Sequence, residues 1–405
     1  GVDRATVIEA VEEDGDDAVV VHVRPRRDSK RHCGRCGARS PGYDQGEGRR
    51  RWRAMDLGTV RCYLEADSPR VDCAEHGPTV AQVPWARHGV GHTRDFDDQT
   101  AWLVTHTAKQ TLVELLRVAW RSVGSIVERV VADGRAARDP FDGLRRIGLD
   151  EISYKKHHRY LLVVVDHDSG RLVWAAPGRD KATLAQFFDL LGDERAGQIT
   201  LVSADAAEWI ATVVAERCPN ATLCADPFHM VAWATSAVDE VRRQVWRDAK
   251  RMGAPSLIAR IKGCRYALLK NPENLTERQQ AGLARVAVVN KSLYRAYLLK
   301  EQFRLVFRLR GEAAIAALDS WCQWARRSRI EPFVELYHRI KKHRASIEAS
   351  LTHGLSNGLV ESTNTKLRLL TRMAYGFRST DNLIALCMLD RGGYCPPLPG
   401  RQAQE

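Results

Sequence analysis

The chain has 405 residues, of which 44% are hydrophobic, and carries a formal net charge of +12 at pH 7. This length predicts two to four globular domains, and the positive charge favours an anionic partner, of which nucleic acid is the usual one. No run of 18 apolar residues is present, which excludes a membrane-spanning helix, and residues 1–13 are mixed and acidic, unlike a secretory signal.

Two short cysteine motifs predict a zinc site in the N-terminal region. The first reads Cys-Gly-Arg-Cys-Gly from Cys33, and the second reads Cys-Ala-Glu-His-Gly from Cys73. In each motif a glycine permits a tight turn that presents two ligands. Three thiolates and one imidazole suit tetrahedral Zn²⁺. The predicted ligands, in a zinc ribbon over residues 1–83, are Cys33, Cys36, Cys73 and His76.

An alternative is that these cysteines belong to a core and that the histidine is a surface residue. The loop between the two motifs is longer than in a compact zinc finger. Cys62 lies within an alternating strand pattern, so we interpret it as a core residue. The other cysteines are scattered, which in a large non-secreted chain indicates free thiols in a reducing cytoplasm.

Residues 49–53 place four arginines around Trp52. This segment is either a solvated strand edge or a phosphate-contacting surface with a stacking aromatic.

Residues 92–138 have the pattern of three helices. A run at residues 93–107 is followed by two short runs, residues 111–120 and 122–131, with a brief break between them. This pattern resembles a helix-turn-helix, whose last helix enters the major groove by its N-terminal end; a small helical bundle has the same pattern. The side chains expected nearest the bases are Arg121, Ser122 and Ser125, and those nearer the phosphates are Lys109 and Arg117.

Residues 145–237 predict an α/β domain of the ribonuclease H-like type. Its β-rich runs lie at residues 147–150, 160–166, 171–176, 199–204 and 222–225. The first three form an antiparallel meander, and the last two alternate with helices and each stop at an aspartate. In this fold the first and fourth strands are neighbours. We therefore expect Asp150, at the end of the first strand, to lie beside Asp205.

A third carboxylate is needed at this position. Two neighbouring aspartates repel each other unless a cation lies between them. Two Mg²⁺ ions roughly 3.5–4 Å apart can bind the attacking and leaving oxygens of a phosphodiester, and holding both requires at least three carboxylates.

The candidate for the third carboxylate is Glu361. Asn357-Gly358 marks the start of a helix, which places Glu361 in the first turn and Asn364 on the same face. The alternative is an ordinary helix start, where the helix dipole favours a glutamate. Basic side chains of this helix that could reach phosphates are Lys366, Arg368 and Arg372.

Residues 238–350 contain long helical patterns rich in lysine and arginine and predict a helical insertion. The last catalytic helices follow at residues 351–392, and a proline-rich tail occupies residues 393–405. The tryptophans of the insertion either belong to a helical core or stack on DNA bases; they are Trp246, Trp321 and Trp324.

Together these motifs resemble the DDE transposases of the ISL3 group of bacterial insertion sequences. The resemblance spans nearly the whole chain and is carried by the two cysteine motifs, LLRVAWRSVGSIV, GLDE, SADAAEW, ADPFHM and SNGLVESTN. It implies a structural Zn²⁺, two catalytic Mg²⁺ or Mn²⁺ ions and an acidic triad of Asp150, Asp205 and Glu361. It also implies that Asp226 and His229 support the active site. Ser362 departs from the family pattern but is not a proposed ligand.

The resemblance further implies that the protein binds terminal inverted repeats and target DNA as a homodimer or larger assembly, in the bacterial cytoplasm at the nucleoid. Two other functions remain open: a non-catalytic DNA-binding regulator and a structure-specific nuclease on the same fold. Glu151 points away from Asp150 in a regular strand, and Asp166 and Asp168 flank a turn, so we interpret these acids as structural. His157-His158 is interpreted as a phosphate-facing surface.

Overall fold

The computed structural model describes residues 4–15, 17–155, 159–374, 377 and 379–401, so the pair at residues 157–158 lies outside the described residues. The chain divides into two compact units, Gly1–Pro140 with Lys366–Glu405, and Phe141–Thr365. The division falls within residues 351–392, which we predicted as the last part of the catalytic domain. Within the described ranges, every helix is too short or too polar to cross a membrane.

The N-terminal unit contains two small sheets. Its strands are β1 (Thr6–Glu13), β2 (Ala18–Pro25), β3 (Gly42–Asp44), β4 (Arg49–Leu57), β5 (Val60–Asp67), β6 (Arg70–Cys73) and β7 (Gly77–Val80). The first sheet has the order β1-β2-β5-β4 and the second β3-β6-β7. The turn between β6 and β7 carries the second cysteine motif, as a zinc ribbon requires.

The arginine-rich segment proves to be a strand with a buried tryptophan. Trp52 lies in the core of the first sheet, where the ring of Trp85 packs edge-on at a centroid distance of 5.5 Å. Arg51 forms an ion pair with Asp14 at 2.6 Å and with Glu65 at 2.5 Å. Trp52 is therefore a core residue and does not stack on bases.

Three helices follow, as the pattern predicted: α1 (Arg94–His106), α2 (Lys109–Leu116) and α3 (Trp120–Ala137). The Thr93 side chain caps α1 by accepting the N–H of Phe96 at 3.2 Å. The turn between α2 and α3 begins at Arg117, whose φ of 54° is left-handed. The C-terminal helix, Thr380–Arg391, packs against α3 within the same unit.

A buried carboxylate joins these helices to the loop that precedes them. Asp97 on α1 is fully buried and accepts hydrogen bonds from Arg87 in that loop at 3.0 Å and from Arg129 on α3 at 3.2 Å. Arg87 also donates to Asp133 on α3 at 2.6 Å. A buried charge is tolerated only with such partners, so this network fixes the loop against the helices.

We expect an Asp97→Asn change to lower the free energy of unfolding by about 2 kcal/mol, because hydrogen bonds to charged groups are each worth about 1.5–3 kcal/mol. Urea denaturation followed by circular dichroism measures this loss. Asp95→Asn, a change on the same helix at a less buried position, serves as the control. Equal losses in the two variants would contradict a special role for the buried network.

The second unit is built on a five-stranded sheet of order β10-β9-β8-β11-β12. Its strands are β8 (Arg146–Lys155), β9 (Arg159–Asp166), β10 (Leu172–Pro177), β11 (Leu201–Ala204) and β12 (Thr222–Ala225). The predicted meander is confirmed, because β8, β9 and β10 pair antiparallel. The predicted adjacency of the first and fourth strands is also confirmed, because β8 and β11 pair parallel.

Helices cover the sheet and form the insertion. They are α4 (Lys181–Leu191), α5 (Asp193–Ala196), α6 (Glu208–Arg217), α7 (Pro227–Arg251), α8 (Pro255–Gly263), α9 (Arg265–Leu269), α10 (Glu277–Val289), α11 (Lys291–Val306), α12 (Gly311–Arg327), α13 (Glu331–Lys342), α14 (Arg344–His353) and the first half of α15 (Gly358–Met373). The C-terminal helix of the first unit is α16 (Thr380–Arg391). Apolar side chains of α4 and α6 share one core with the sheet, and those of α7 and α11 to α14 form a second core.

Two of the three tryptophans of the insertion pack in its hydrophobic core. Trp321 is fully buried and donates its indole N–H to the Leu299 carbonyl at 2.8 Å, and Trp324 packs partly buried against the same core. Trp246 is half-buried, with the Lys250 ammonium 4.1 Å from its ring centroid. Trp321 is therefore not available for stacking on DNA.

Candidate functional site

The four predicted zinc ligands converge in the N-terminal unit. Their ligand atoms all lie within 4.8 Å of one another. The Cys36 and Cys73 sulfurs are 3.6 Å apart, and His76 Nδ1 lies 3.7 Å from the Cys73 sulfur and 3.9 Å from the Cys33 sulfur. A tetrahedral ion with Zn–S bonds of about 2.3 Å requires ligand separations of about 3.8 Å. The four ligands therefore fit Zn²⁺.

The backbone around this cluster explains its geometry. The Gly34 N–H donates to the Val80 carbonyl at 3.2 Å, which holds the first motif against β7. A Cβ atom at Gly34 would lie 2.6 Å from that carbonyl oxygen, so only glycine fits. A hydrogen bond from His76 lowers the pKa of the Cys73 thiol to about 6, which favours the thiolate that zinc requires. Cys62 lies in the β-sheet core, as predicted.

Asp150 lies in the middle of β8. The prediction that it ends the strand is wrong. Pairing with β11 stops at Gly148 opposite Ser203, whereas pairing with β9 continues to Lys155. Asp150 thus stands just beyond the point where the parallel pairing ends, at the carboxyl edge of β11. Burial, and to a smaller extent the Asp205 carboxylate, raises the pKa of Asp150 to about 6.

Asp205, Asp226 and His229 form one polar cluster, with ligand atoms within 4.8 Å of one another. His229 Nδ1 lies 2.5 Å from Asp205 Oδ1 and 2.9 Å from Asp226 Oδ2. The hydrogen bonds to Asp205 and then to Asp226 raise the pKa of His229 to about 10. Asp226 is 1% exposed, and a carboxylate in so buried a position requires a partner such as this imidazole.

Glu361 lies half-buried in the first turn of α15. Its backbone N–H donates to the Asn357 carbonyl at 2.8 Å. One turn later, Asn364 Nδ2 donates to Asp150 Oδ2 at 2.6 Å. Because residues three apart share a helix face, the face that carries Glu361 is the face that reaches Asp150.

Two asparagines in this region were not predicted to have a role of their own. Asn364 was noted only for sharing the face of Glu361, and Asn357 only as the start of a helix. Both are 1% exposed. A sequence signal did exist, because asparagine in an otherwise apolar buried position must find hydrogen-bond partners, but the sequence alone does not reveal that these positions are buried.

The raised pKa of Asp150 predicts a pH-dependent effect on stability. A folded pKa of about 6 against 3.8 for the ordinary group means that the folded protein loses stability as pH rises through this range. In EDTA-treated protein, Asp150→Asn should therefore be more stable than wild type by up to roughly 3 kcal/mol at pH 8. The gain should nearly vanish at pH 4.

Thermal denaturation at the two pH values measures this difference. Asp193→Asn, the same substitution on exposed α5, should show no comparable gain. A gain for Asp150→Asn that is equal at pH 4 and pH 8 would contradict the assigned cause.

The predicted DNA-contacting residues of the helix-turn-helix differ in exposure. Arg121 is exposed at the start of α3, and Ser122 and Ser125 are half-buried beside it. Lys109 differs from the prediction, because its side chain is 9% exposed and its ammonium lies 4.6 Å from the centroid of the Trp120 ring. Burial of this ammonium lowers the pKa of Lys109, and the side chain is not presented to a phosphate.

Arg117 also has intramolecular partners, since its guanidinium pairs with Asp56 and donates to the Thr59 carbonyl at 3.0 Å. On α15, Arg368 and Arg372 are exposed. Lys366 is half-buried, with its ammonium 3.9 Å from the Asp390 carboxylate. Arg121, Arg368 and Arg372 therefore remain the most accessible of the predicted phosphate and base contacts.

In comparisons with known proteins, three family models match successive segments of the chain. A model described as transposase, of the DDE type in the ISL3 family, matches residues 147–387. A model for the zinc finger of the IS204/IS1001/IS1096/IS1165 transposases matches residues 29–76. A model for the helix-turn-helix domain of the ISL3 transposase family matches residues 81–131.

Two curated relatives agree with these models. The chain is 59% identical to the transposase for insertion sequence element IS1557 of Mycobacterium tuberculosis in an alignment 425 positions long, gaps included, which covers 99% of the chain and 96% of the relative. It is 26% identical to the transposase for insertion sequence element IS1001 of Bordetella parapertussis over 353 residues, which cover 86% of each protein.

Proposed function

Because this chain belongs to the ISL3 family of insertion-sequence transposases, DDE enzymes that transfer phosphoryl groups on DNA, we propose that Asp150, Asp205 and Glu361 form its acidic triad. In this proposal the three carboxylates hold two Mg²⁺ or Mn²⁺ ions. Their oxygens are the donors that these ions prefer.

One observation carries this assignment. Asn364, one helical turn after Glu361, donates to the Asp150 carboxylate at 2.6 Å. Asp150 lies in β8, and Asp205 directly follows the neighbouring parallel strand β11. This hydrogen bond brings the helix of Glu361 to the strand of Asp150, although the long insertion separates them in sequence, and so supports the proposed triad.

Bound divalent ions would polarise the target phosphate and lower the pKa of the attacking water or 3′-hydroxyl. The side chains of the chain itself orient the ligands. Each oxygen of Asp150 accepts one hydrogen bond, Oδ2 from Asn364 at 2.6 Å and Oδ1 from the Glu151 N–H at 2.7 Å. His229 holds Asp205 through the ion pair between its Nδ1 and Asp205 Oδ1 at 2.5 Å. A serine or tyrosine nucleophile is not needed, because water or the 3′-hydroxyl attacks the phosphate directly.

DNA binding is a property of the helix-turn-helix and transposase domains. We assign recognition of the terminal inverted repeats to the zinc ribbon and the helix-turn-helix, with Arg121, Ser122 and Ser125 nearest the bases. Arg368 and Arg372 would contact phosphates, so affinity for DNA should fall steeply with salt.

Joining of two element ends to target DNA requires that both ends be held together. We therefore propose a homodimer or larger assembly on DNA, which the mass of the protein–end complex in solution would test. A complex with one chain on one end under all conditions would contradict it.

A DNA fragment labelled at the element end tests the proposed reaction. With Mg²⁺, the protein should bind the end, cut it and join it to target DNA, and EDTA should stop cutting and joining without preventing binding. Binding without cutting would favour the regulator, and cutting without joining would favour the nuclease.

A further inference from the structure

The start of α15 is held by Asn357, which bonds to every segment of the proposed triad through its side chain and its backbone. Asn357 is 1% exposed. Its side-chain Nδ2 donates to the Leu149 carbonyl at 3.1 Å, and Leu149 immediately precedes Asp150. Its Oδ1 accepts a hydrogen bond from the hydroxyl of Ser203, which lies two residues before Asp205.

The backbone groups of Asn357 form two further hydrogen bonds to the residues around the proposed triad. Its N–H donates to Asp226 Oδ1 at 3.1 Å, and the other oxygen of Asp226 binds the histidine that holds Asp205. Its carbonyl accepts the N–H of Glu361 at 2.8 Å. One residue thus bonds to the strand of Asp150, the strand of Asp205, the supporting acid and Glu361 itself.

The surrounding packing brings α15 close to the sheet. A Cβ atom at Gly148 would lie 2.4 Å from Val360, so the helix rests directly on β8 where a side chain is missing. The Ser203 hydroxyl also lies 2.6 Å from His167 Nε2. The hydrogen bonds of Asn357 therefore form in a buried, tightly packed region. Loss of a hydrogen-bond partner there leaves a buried polar group unsatisfied, which costs stability.

We propose that Asn357 is the positioning residue that sets the separation of the three metal-binding carboxylates. This proposal rests on the proposed triad. Asn357 does not touch substrate or metal; it fixes the start of the Glu361 helix against both aspartate strands. Groups of this kind, one step removed from the ligands, typically change metal affinity or activity by 10- to 100-fold when replaced.

Replacement by alanine removes both side-chain hydrogen bonds of Asn357 without adding charge. Asn357→Ala should raise the Mn²⁺ concentration for half-saturation by about 10- to 100-fold, measured by the electron paramagnetic resonance signal of free Mn²⁺. The same shift should appear in the Mn²⁺ dependence of end cleavage, and affinity for end DNA should stay unchanged.

Asn220→Ala is the matched control. Asn220 is an exposed asparagine of the same unit, and its Nδ2 also donates to a backbone carbonyl, that of Gly197, at 2.9 Å. This variant should bind Mn²⁺ like wild type. Equal Mn²⁺ half-saturation in folded Asn357→Ala and in Asn220→Ala would overturn the proposal.

If Asn357→Ala does not fold, Ser203→Ala decides the question. It removes the donor to Asn357 Oδ1, together with the contact to His167, and leaves the other hydrogen bonds of Asn357 in place. It should shift Mn²⁺ half-saturation in the same direction by a smaller factor; no shift would overturn the proposal. The triad itself is tested separately, since Asp205→Asn should stop cleavage at every Mn²⁺ concentration. If Asp205→Asn loses cleavage and Asn357→Ala behaves like wild type, the proposed triad is supported and the positioning role of Asn357 is overturned.

Discussion

An Asp205→Asn variant is expected to cut element ends at least about 10³-fold more slowly than wild type while it binds end DNA with unchanged affinity. An amide oxygen is a weaker ligand than a carboxylate and does not offset the charge of two divalent ions. Bound ions contribute several kcal/mol to stabilising the transition state, and each 1.36 kcal/mol lost is a tenfold loss of rate. Glu361→Gln should behave in the same way, since it removes the same charge from the third ligand.

Single-turnover cleavage at saturating DNA measures the rate, and fluorescence anisotropy with labelled end DNA measures the affinity. The matched controls are Asp193→Asn and Glu194→Gln, two exposed acids on α5 in the same unit, which should cut like wild type. An Asp205→Asn protein that retains more than a tenth of the cleavage rate would remove Asp205 from the triad. A parallel loss of cleavage and DNA affinity would point to misfolding instead.

Local pattern was sufficient for the elements that lead to these ligands. The strand Thr222–Ala225 was predicted with the observed limits, and the strand Leu201–Ala204 with its observed end. Both are short apolar segments with clear boundaries, so the periodicity of the sequence determines them. The spacing of Asp226 and His229, three residues apart at a helix start, likewise favours contact, and the two side chains meet at 2.9 Å.

The length of β8 could not be predicted in this way. We expected the first strand to end at Asp150, because the apolar run ends there. The strand continues because β9 pairs with it as far as Lys155 opposite Arg159. Such an extension depends on the partner strand and not on the composition of residues 151–155, which are largely polar.

The roles of Asn357 and Lys109 were missed for a related reason. The long-range partners of Asn357 are 131, 154 and 208 residues away in sequence, so Asn-Gly was interpreted only as the start of a helix. Lys109 was expected near the phosphates because it is a basic residue of the predicted helix-turn-helix. Instead its side chain is buried and its ammonium lies over the Trp120 ring, a cation–π contact that the sequence alone does not reveal.

The zinc site offers the second large effect. Cys33→Ser is expected to lose the bound zinc and to unfold the zinc ribbon, because Zn²⁺ binding contributes about 10–16 kcal/mol in zinc-finger peptides. That is comparable to the whole free energy of unfolding of a typical domain, about 5–15 kcal/mol. The small β3-β6-β7 sheet has a core of only a few residues around Cys33, Val71 and Cys73, so little else would hold it.

The effect should extend to DNA binding. The first cysteine motif packs on β7 through Gly34, and the loop that follows β7 carries Arg87, which bonds to Asp97 on α1 and Asp133 on α3. Loss of zinc should therefore loosen the support of the helix-turn-helix and weaken binding of end DNA, while Mn²⁺ binding by the catalytic unit should persist.

Zinc content by inductively coupled plasma mass spectrometry and end-DNA affinity by anisotropy test this prediction. Cys62→Ala is the matched control, because Cys62 is a buried cysteine of the same unit that lies in the β-sheet core and should keep its zinc. If Cys33→Ser retained a full complement of zinc, the four convergent side chains would not be the metal site. If Cys33→Ser lost zinc but bound DNA like wild type, the contacts of Arg87 would not stabilise the helix-turn-helix. The zinc ribbon would then be independent of the helix-turn-helix in DNA binding.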